Sequence, residues 1–493
     1  MTLSVARLRL LVASLLSVSF LGALDHTVVS TSLATIAGDL GALEHLSQVV
    51  VGYTVASTVL VPVLGQLGDA VGPRLVFLTS LVAFLVSSSC CGLAPDMTWL
   101  TVARIVQGAS SAGLQLMSQT IVAQVTTPRQ RPGYLAVIGA AFPVAILVGP
   151  LVGGLITDHW GWPWVFWINL PVGLAALVLA AVAVPHLDRA PRRGFDGPGA
   201  LTFTSALVAL VLAVTWTREP PAEHAAAVAF AVAAVAFAAF LRVELRAVSP
   251  VVPLRMFTDR GFAAGAALSA VVGVGLFSVV SYLPTYFQMA YRVSATVSGL
   301  VAIATVFGML VTSLLTGRIA SRTGRYRLFP ALGTATSALG LLVMAFLPVG
   351  MPLAVPVVVM FAVGAGTGAF MNLVVAVVQS AVPRSEIGRA TASVNLVRQI
   401  GVSVTTAVIG GVVGFGVAAL LPAGLDVSGL TPQVAAAAPD AVQARIASAY
   451  VEVFSPVFLA LAVTYALGFV AAVLLPPGRL PDEQPSAADP IAA

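Results

Sequence analysis

The chain has 493 residues, 59% hydrophobic and only 9% charged, with a mean hydropathy of +1.01. A soluble domain carries roughly 25% charged residues, so the composition excludes one and specifies an integral membrane protein. The formal net charge of +5 comes from 24 basic residues, all arginine, and membrane topology accounts for it without a nucleic-acid partner. Without lysine there is no Walker A loop, whose lysine must reach the nucleotide phosphates. H-E-x-x-H and G-x-S-x-G are absent, and the two cysteines, Cys90 and Cys91, are neighbours in one apolar run. No catalytic residue, metal site or cofactor is therefore expected, and the chain does not read as an enzyme.

Runs of about 20 apolar residues, enough to cross a bilayer core, fall near 8–34, 48–67, 75–94, 98–121, 134–157, 164–185, 198–217, 224–243, 262–289, 296–317, 328–347, 351–378, 393–420 and 453–475. Fourteen transmembrane helices are predicted. The first run follows Arg7 and Arg9 and continues with no clear A-x-A site after it, so it reads as a span and not a cleaved leader. Most arginines then fall on the face of the N-terminus, with Arg218, Arg292 and Arg445 opposite and Arg104 and Arg398 inside spans. The positive-inside bias places both termini in the cytoplasm.

In chain order, the first residue with evident chemistry is Asp25, the only carboxylate deep within a span, roughly 24 Å beyond Arg9 at 1.5 Å per residue. An intramembrane carboxylate is a functional candidate by default. Burial and a nearby cation act on a carboxyl in opposite senses, which lets such a site exchange protons. Arg104 in span four is the natural partner, since a guanidinium stays charged throughout. Arg104, Gly108, Ser111, Gln115 and Ser118 recur at helical spacing and predict a polar stripe facing a water-filled cleft. His26 points about 100° from Asp25 on a helix and is not assigned a coupling role.

Span five contains Gly149, Pro150, Gly153 and Gly154, a bent helix with a smooth face for a neighbour. In span nine Tyr282, Tyr286 and Gln288 surround Pro284, and in span twelve Asn372 and Gln379 lie seven apart beyond GAGTG. Aromatic groups with sparse polar ones suit a loose site for an amphipathic ligand. Ser111, Gln115 and Ser118 join these five as cavity candidates. Arg398, at the start of span thirteen, is expected to snorkel to the interface.

One turn occurs twice. Gly65 to Arg74 reads GQLGDAVGPR and Gly317 to Tyr326 reads GRIASRTGRY, 252 positions later. The same offset superimposes spans one to five on spans nine to thirteen, so the chain reads as two homologous halves. Gly65, Asp69, Gly72 and Arg74 form the first copy. In the second, Ser321 replaces Asp69, while Arg322 and Arg325 occupy the places of Ala70 and Pro73. The expected organisation is 1–190 as a first six-helix bundle, 191–250 as two additional helices, 251–478 as a second six-helix bundle, and 479–493 as a disordered tail.

These motifs resemble those of the major facilitator superfamily and, within it, the fourteen-span drug:proton antiporters (DHA2-like). LDHTVVSTSL from Leu24 resembles the span-one signature L-D-x-T, with Ser30 and Ala34 where Asn and Pro are usual. RIVQGASSAG from Arg104 resembles the span-four motif. AILVGPLVGG resembles the antiporter motif of span five, with Ala145 in place of its first Gly. WPWVFWINLP from Trp162 resembles the start of span six, with Pro163 where Arg is expected. The resemblance implies an all-α fold of two six-helix bundles plus two central helices, with alternating access, proton coupling through Asp25 and Arg104, and a conformational latch made by Gly65, Asp69, Gly72, Arg74, Arg322 and Arg325. It implies a span-five role in antiport direction, a small amphipathic or cationic substrate, protons and the lipid bilayer as partners, and a functional monomer in a bacterial cell membrane. A proton-coupled or facilitative metabolite transporter is the alternative on the same fold, and a non-transporting membrane sensor is a third reading.

Overall fold

The computed structural model describes residues 4–41, 46–187, 196–216, 223–247, 250–348, 351–421 and 430–483. Most of the 186–197 loop, and the tail beyond 483, lie outside the described residues. Those described form helices and no strand, apart from one isolated bridge between Arg325 and Arg479. In chain order the α-helices are α1 Val5–Leu40, α2 Leu46–Val71, α3 Pro73–Gly92, α4 Met97–Val125, α5 Arg131–Gly139, α6 Ala141–Trp160, α7 Pro163–Trp167, α8 Asn169–Ala183, α9 Gly197–Trp216 and α10 Glu223–Glu244. The remainder are α11 Arg260–Val272, α12 Ser278–Ala290, α13 Ala295–Thr323, α14 Leu328–Phe346, α15 Ala354–Ser380, α16 Ile387–Leu420, α17 Pro432–Ala437 and α18 Asp440–Leu474.

Local chemistry explains where these helices begin and end. Ser4 accepts from the Arg7 amide, and Asp96 accepts from the Trp99 amide at 2.8 Å, as oxygen-bearing N-caps do. Gly41 and Gly324 end α1 and α13 at positive φ, 70° and 71°, where an L side chain is strained. Between α11 and α12 a π-helical segment, Gly273–Phe277, keeps the run continuous, and Pro284 lies within α12.

Twelve helical runs among the described residues are long and apolar enough to cross a membrane, against the fourteen expected. The two that fall short have different reasons. α4 has the length, but Arg104, Gln107, Ser110, Ser111 and Gln115 lower its hydropathy; α9 is represented by the shorter apolar stretch Gly197–Leu210. Large apolar side chains such as Leu151, Val178, Leu339 and Phe415 stay exposed. That surface suits hydrocarbon, which accepts helices because their backbone groups are satisfied internally.

The chain divides into two compact units. Unit 1 comprises Met1–Asp259, Val378–Leu396 and Pro481–Ala493, and unit 2 comprises Arg260–Val377 and Val397–Leu480. In unit 1, α1 packs on α6 and α8, α4 on α2 and α3, and α9 on α10 and α2. Leu24, Val28, Ile36, Leu100 and Phe166 belong to its buried core. In unit 2, α18 packs on α14 and α11, and α12 on α13. Tyr286, Phe287, Phe454 and Phe458 form an aromatic cluster at its centre, with ring centroids 4.9 to 5.9 Å apart.

Candidate functional site

The polar centre of unit 1 is a closed pocket around Asp25. Arg104 donates from Nη1 to Asp25 Oδ2 at 2.6 Å and to Gln107 Oε1 at 2.9 Å. Asp25 Oδ1 accepts from Gln107 Nε2 and from Asn169 Nδ2, both at 2.9 Å. Ser88 accepts from the same two amides at 3.2 and 3.0 Å and donates to the Phe166 carbonyl at 2.8 Å. The Arg104 guanidinium lies 4.1 Å from the centroid of the Tyr53 ring, a cation–π contact that favours a desolvated cation. Asp25 is 1% exposed and Arg104 2%.

Five helices build this pocket: α1 supplies Asp25, α2 Tyr53, α3 Ser88, α4 Arg104 and Gln107, and α8 Asn169. Gln107 follows Arg104 by three residues and so shares its face of α4. Small residues let the helices close: a side chain at Gly108 would meet the backbone of Tyr53, and one at Gly149 or Gly153 would meet Thr27 or Thr31 of α1. Thr27 also donates to the Ala145 carbonyl of α6 at 3.2 Å. Thus α1 is seated directly on the span-five motif. Gly154 meets nothing within 4 Å and has no part in this contact, and Pro150 is exposed.

The α4 stripe does not lie along one wetted face. Arg104, Gly108 and Ser118 are packed inside unit 1, Ser118 donating to the Leu114 carbonyl, whereas Gln115 is exposed and Ser111 half-buried. The one-residue step that separates His26 from Asp25 turns its side chain out of the pocket; it is exposed, its ring 5.8 Å from that of Tyr53.

Asp69 lies apart from this pocket, and its partners are not the expected arginines. Its Oδ1 accepts from the Gly388 amide and its Oδ2 from the Arg389 amide, both at 3.0 Å, with Arg389 Nε at 3.4 Å. A carboxylate is thus placed on the free N–H groups of the first turn of α16, where the helix dipole favours negative charge. Gly65 lets that turn approach, since a Cβ there would meet Ala392 and Gly388. Arg74 instead donates to the Ala181 carbonyl at the end of α8 and contacts His186, both at 2.8 Å. Gly72 adopts φ 101° before Pro73, which explains its place at the start of α3. Arg322 and Arg325 belong to unit 2.

The other cavity candidates are spread over several local environments. Tyr286 is buried in the aromatic core of unit 2, where its bulk fills space between helices. Tyr282 donates to the Thr406 carbonyl at 2.7 Å, and Asn372 to Ser313 Oγ at 2.9 Å. Gln288 lines a 230 Å³ cavity with Arg292, Ser294, Gln433 and Gln443. Gln379 is fully buried in unit 1, its side-chain amide donating to Thr391 Oγ1 at 3.0 Å and its backbone carbonyl accepting from Arg131 Nη1 at 3.0 Å. Arg398, expected at the interface, is buried, with its backbone against Gly273.

The model of the Major Facilitator Superfamily matches residues 15–406 of the chain. The chain belongs to this superfamily. It is a multi-pass transport protein and not an enzyme. An MFS-type transporter of Mycobacterium tuberculosis is 35% identical to it over 96% of this chain and 70% of the relative. The multidrug transporter protein MdtP of Bacillus subtilis is 30% identical over 80% of this chain and 73% of its own length. Among solved structures, the proton:xylose symporter XylE superimposes with a TM-score of 0.64 at 15% identity, covering 98% of each chain. The human organic anion transporter MFSD10 gives 0.63 at 14%, covering 94% of this chain and 99% of its own. At such identities the structural likeness establishes the superfamily fold and nothing finer.

Gln107, Asn169, Ser88 and Tyr53 complete the Asp25 pocket, and Gly388 and Arg389 complete the Asp69 contact. None was singled out from the sequence. The available signals were the three-residue step from Arg104 to Gln107 and the lone amide within the apolar segment WINLP.

Proposed function

We propose that the chain is a proton-coupled exporter of amphipathic or cationic compounds, a drug:proton antiporter of a bacterial cell membrane with both termini cytoplasmic. α4 and α9 complete fourteen spans in this reading, forming two six-helix bundles with α9 and α10 as the additional pair. The observation that carries it is the Asp25–Arg104 ion pair, sealed from solvent within a span and held by neutral amides. Removing one charge of a buried pair costs about 3–5 kcal/mol because the other is left uncompensated. Protonating Asp25 would leave Arg104 in that position. Proton arrival therefore drives a rearrangement of α1 against α4, and proton loss restores the pair.

α1 transmits this change to α6, because Thr27 and Thr31 rest on Gly149 and Gly153. Asp69 acts as a conformational latch on the first turn of α16, a helix that counts with unit 1 up to Leu396 and with unit 2 from Val397. The printed names of MdtP and of Multidrug resistance protein 3 of Bacillus subtilis, 30% identical over 63% of this chain, favour drug-like cargo. Gln115 and Ser111 are the polar groups of α4 available to such a ligand.

The test is substrate flux in proteoliposomes under an imposed pH gradient. Wild-type protein accumulates a fluorescent cationic dye against its gradient when the compartment receiving the dye is acidic. Asp25→Asn, which leaves Arg104 uncompensated, lowers the melting temperature; the variant that still inserts and binds the dye loses gradient-driven flux. Undiminished flux by that variant would remove Asp25 from the coupling step.

A further inference from the structure

The segment that follows α18 returns along the second copy of the repeated turn. The Tyr326 hydroxyl donates to the Pro476 carbonyl at 2.7 Å, and the Leu480 amide donates to the Gly324 carbonyl at 2.9 Å. The Leu480 side chain is buried, and Arg327 donates from Nη2 to the Val473 carbonyl near the end of α18. Gly324 allows this approach: its φ is 71°, and a Cβ there would meet Cβ of Arg479 at 3.2 Å. Between these anchors Arg325 and Arg479 face each other in an antiparallel bridge.

That bridge holds two like charges side by side. Residues directly opposite in an antiparallel pair have Cβ atoms about 4.5–5.5 Å apart, an arrangement that like charges disfavour. Both arginines are exposed, so the bridge is fixed by the buried Leu480 and by the backbone bond to Gly324, not by the charged groups themselves. Arg318 and Arg322, also exposed, add positive charge four residues apart on one face of α13. The same helix ends carry apolar surface: Leu328 at the start of α14 is 57% exposed, and Leu474 at the end of α18 is 65% exposed. Two adjacent guanidinium groups therefore adjoin surface suited to hydrocarbon, at the level where phospholipid headgroups lie.

We propose that Arg325 and Arg479 together clamp the phosphate of an anionic phospholipid, whose acyl chains lie along the exposed leucines of α14 and α18. Guanidinium groups hold phosphate oxygens through charge-assisted, often bidentate hydrogen bonds, and clustered basic residues beside a span favour anionic lipid. One phosphate between the two side chains replaces their repulsion by a shared attraction and fastens the C-terminal segment to the turn. The two copies of the turn are thus anchored differently. The first uses Asp69 on the amides of α16, whereas the second, with Ser321 in that place, uses a lipid. Binding is independent of Asp25 and is present in protein that transports nothing.

The experiment is native mass spectrometry of the full-length protein in detergent, titrated with phosphatidylglycerol or phosphatidylcholine. Wild-type protein retains phosphatidylglycerol in preference. Arg325→Gln combined with Arg479→Gln weakens that binding by roughly twenty-fold, about five-fold for each arginine near an anionic headgroup, and leaves the melting temperature in phosphatidylcholine unchanged. Leu480→Ser keeps every arginine but releases the segment that holds Arg479 opposite Arg325, and it too weakens phosphatidylglycerol binding. Undiminished affinity in either variant overturns the proposal. Excess inorganic phosphate leaves the lipid bound; displacement would assign the arginines to a free anion and overturn the lipid assignment. Protein ending at Asp482 keeps the preference, and its loss there would assign the lipid to residues beyond 482 and refute the clamp.

Discussion

The two units use one packing device and fill it with different chemistry. In unit 1, α4 meets α2 where Gly108 lies on the backbone of Tyr53; in unit 2, α15 meets α13 where Gly364 lies on the backbone of Thr305. Tyr53 and Thr305 are separated by the same 252 positions as the repeated turn. Beside these contacts the resemblance stops. Unit 1 buries a carboxylate paired with a guanidinium and amide partners, whereas in unit 2 hydroxyls join α14, α15 and α18. Tyr465 and Thr367 are 2.6 Å apart, and Ser337 and Thr367 both donate to the Val363 carbonyl, at 2.9 and 3.0 Å. A hydroxyl network satisfies its members without net charge, so it holds helices together at any physiological pH. The charged pocket is stable in full only while both charges remain. The two units thus share a glycine-on-backbone contact, and the Asp25 carboxylate lies in one of them.

The largest test of that contrast is Arg104→Leu. It leaves Asp25 buried without its cation, and the expected loss is about 3–5 kcal/mol of stability. A large fall in melting temperature, together with lost gradient-driven flux, would be read by thermal denaturation and vesicle assays. Next come Gly108→Val and Gly364→Val, each forcing a side chain into backbone contact at a cost of roughly 1–3 kcal/mol or more. Similar falls in melting temperature for the two are expected if the packing device is shared, and strongly unequal falls would break the symmetry argument. The smallest effect is expected from Thr367→Val, about 1–3 kcal/mol, because it removes the hydroxyl's contacts with the Val363 carbonyl and with the buried Tyr465 hydroxyl. Its flux should keep the pH dependence of the wild type. A changed pH profile would show that unit 2 also takes part in coupling.

Some of this was legible in the residues themselves. Asp25 stood out because a carboxylate deep in an apolar run is costly, and Arg104 because it is the matching buried cation; the structure joins them at 2.6 Å. Gly149 and Gly153 were readable as a packing face, but Gly154 was not separable from them, since which glycines touch a neighbour depends on how α1 crosses α6. Ser118 and Tyr286 are packed inside their units for a related reason. Polarity or aromaticity at helical spacing identifies a face, yet a bundle covers some faces with other helices. Asp69 was recognised as a charged anchor, but the groups that donate to it are backbone amides of α16, which every sequence contains and none advertises.

By itself the sequence determined that the chain spans a membrane, that one Gly-rich turn recurs 252 positions later, and that one intramembrane carboxylate must be compensated. Those conclusions follow from hydropathy, repetition and the high cost of isolated charge, all of which are properties of residues in order. The tertiary structure decided that Gln107 and Asn169 complete the Asp25 pocket, that Asp69 reaches the first turn of α16, and that Arg74 instead donates to the Ala181 carbonyl of α8. Hydrogen bonds are short and directional, so their pairing is fixed only once helices have chosen their neighbours.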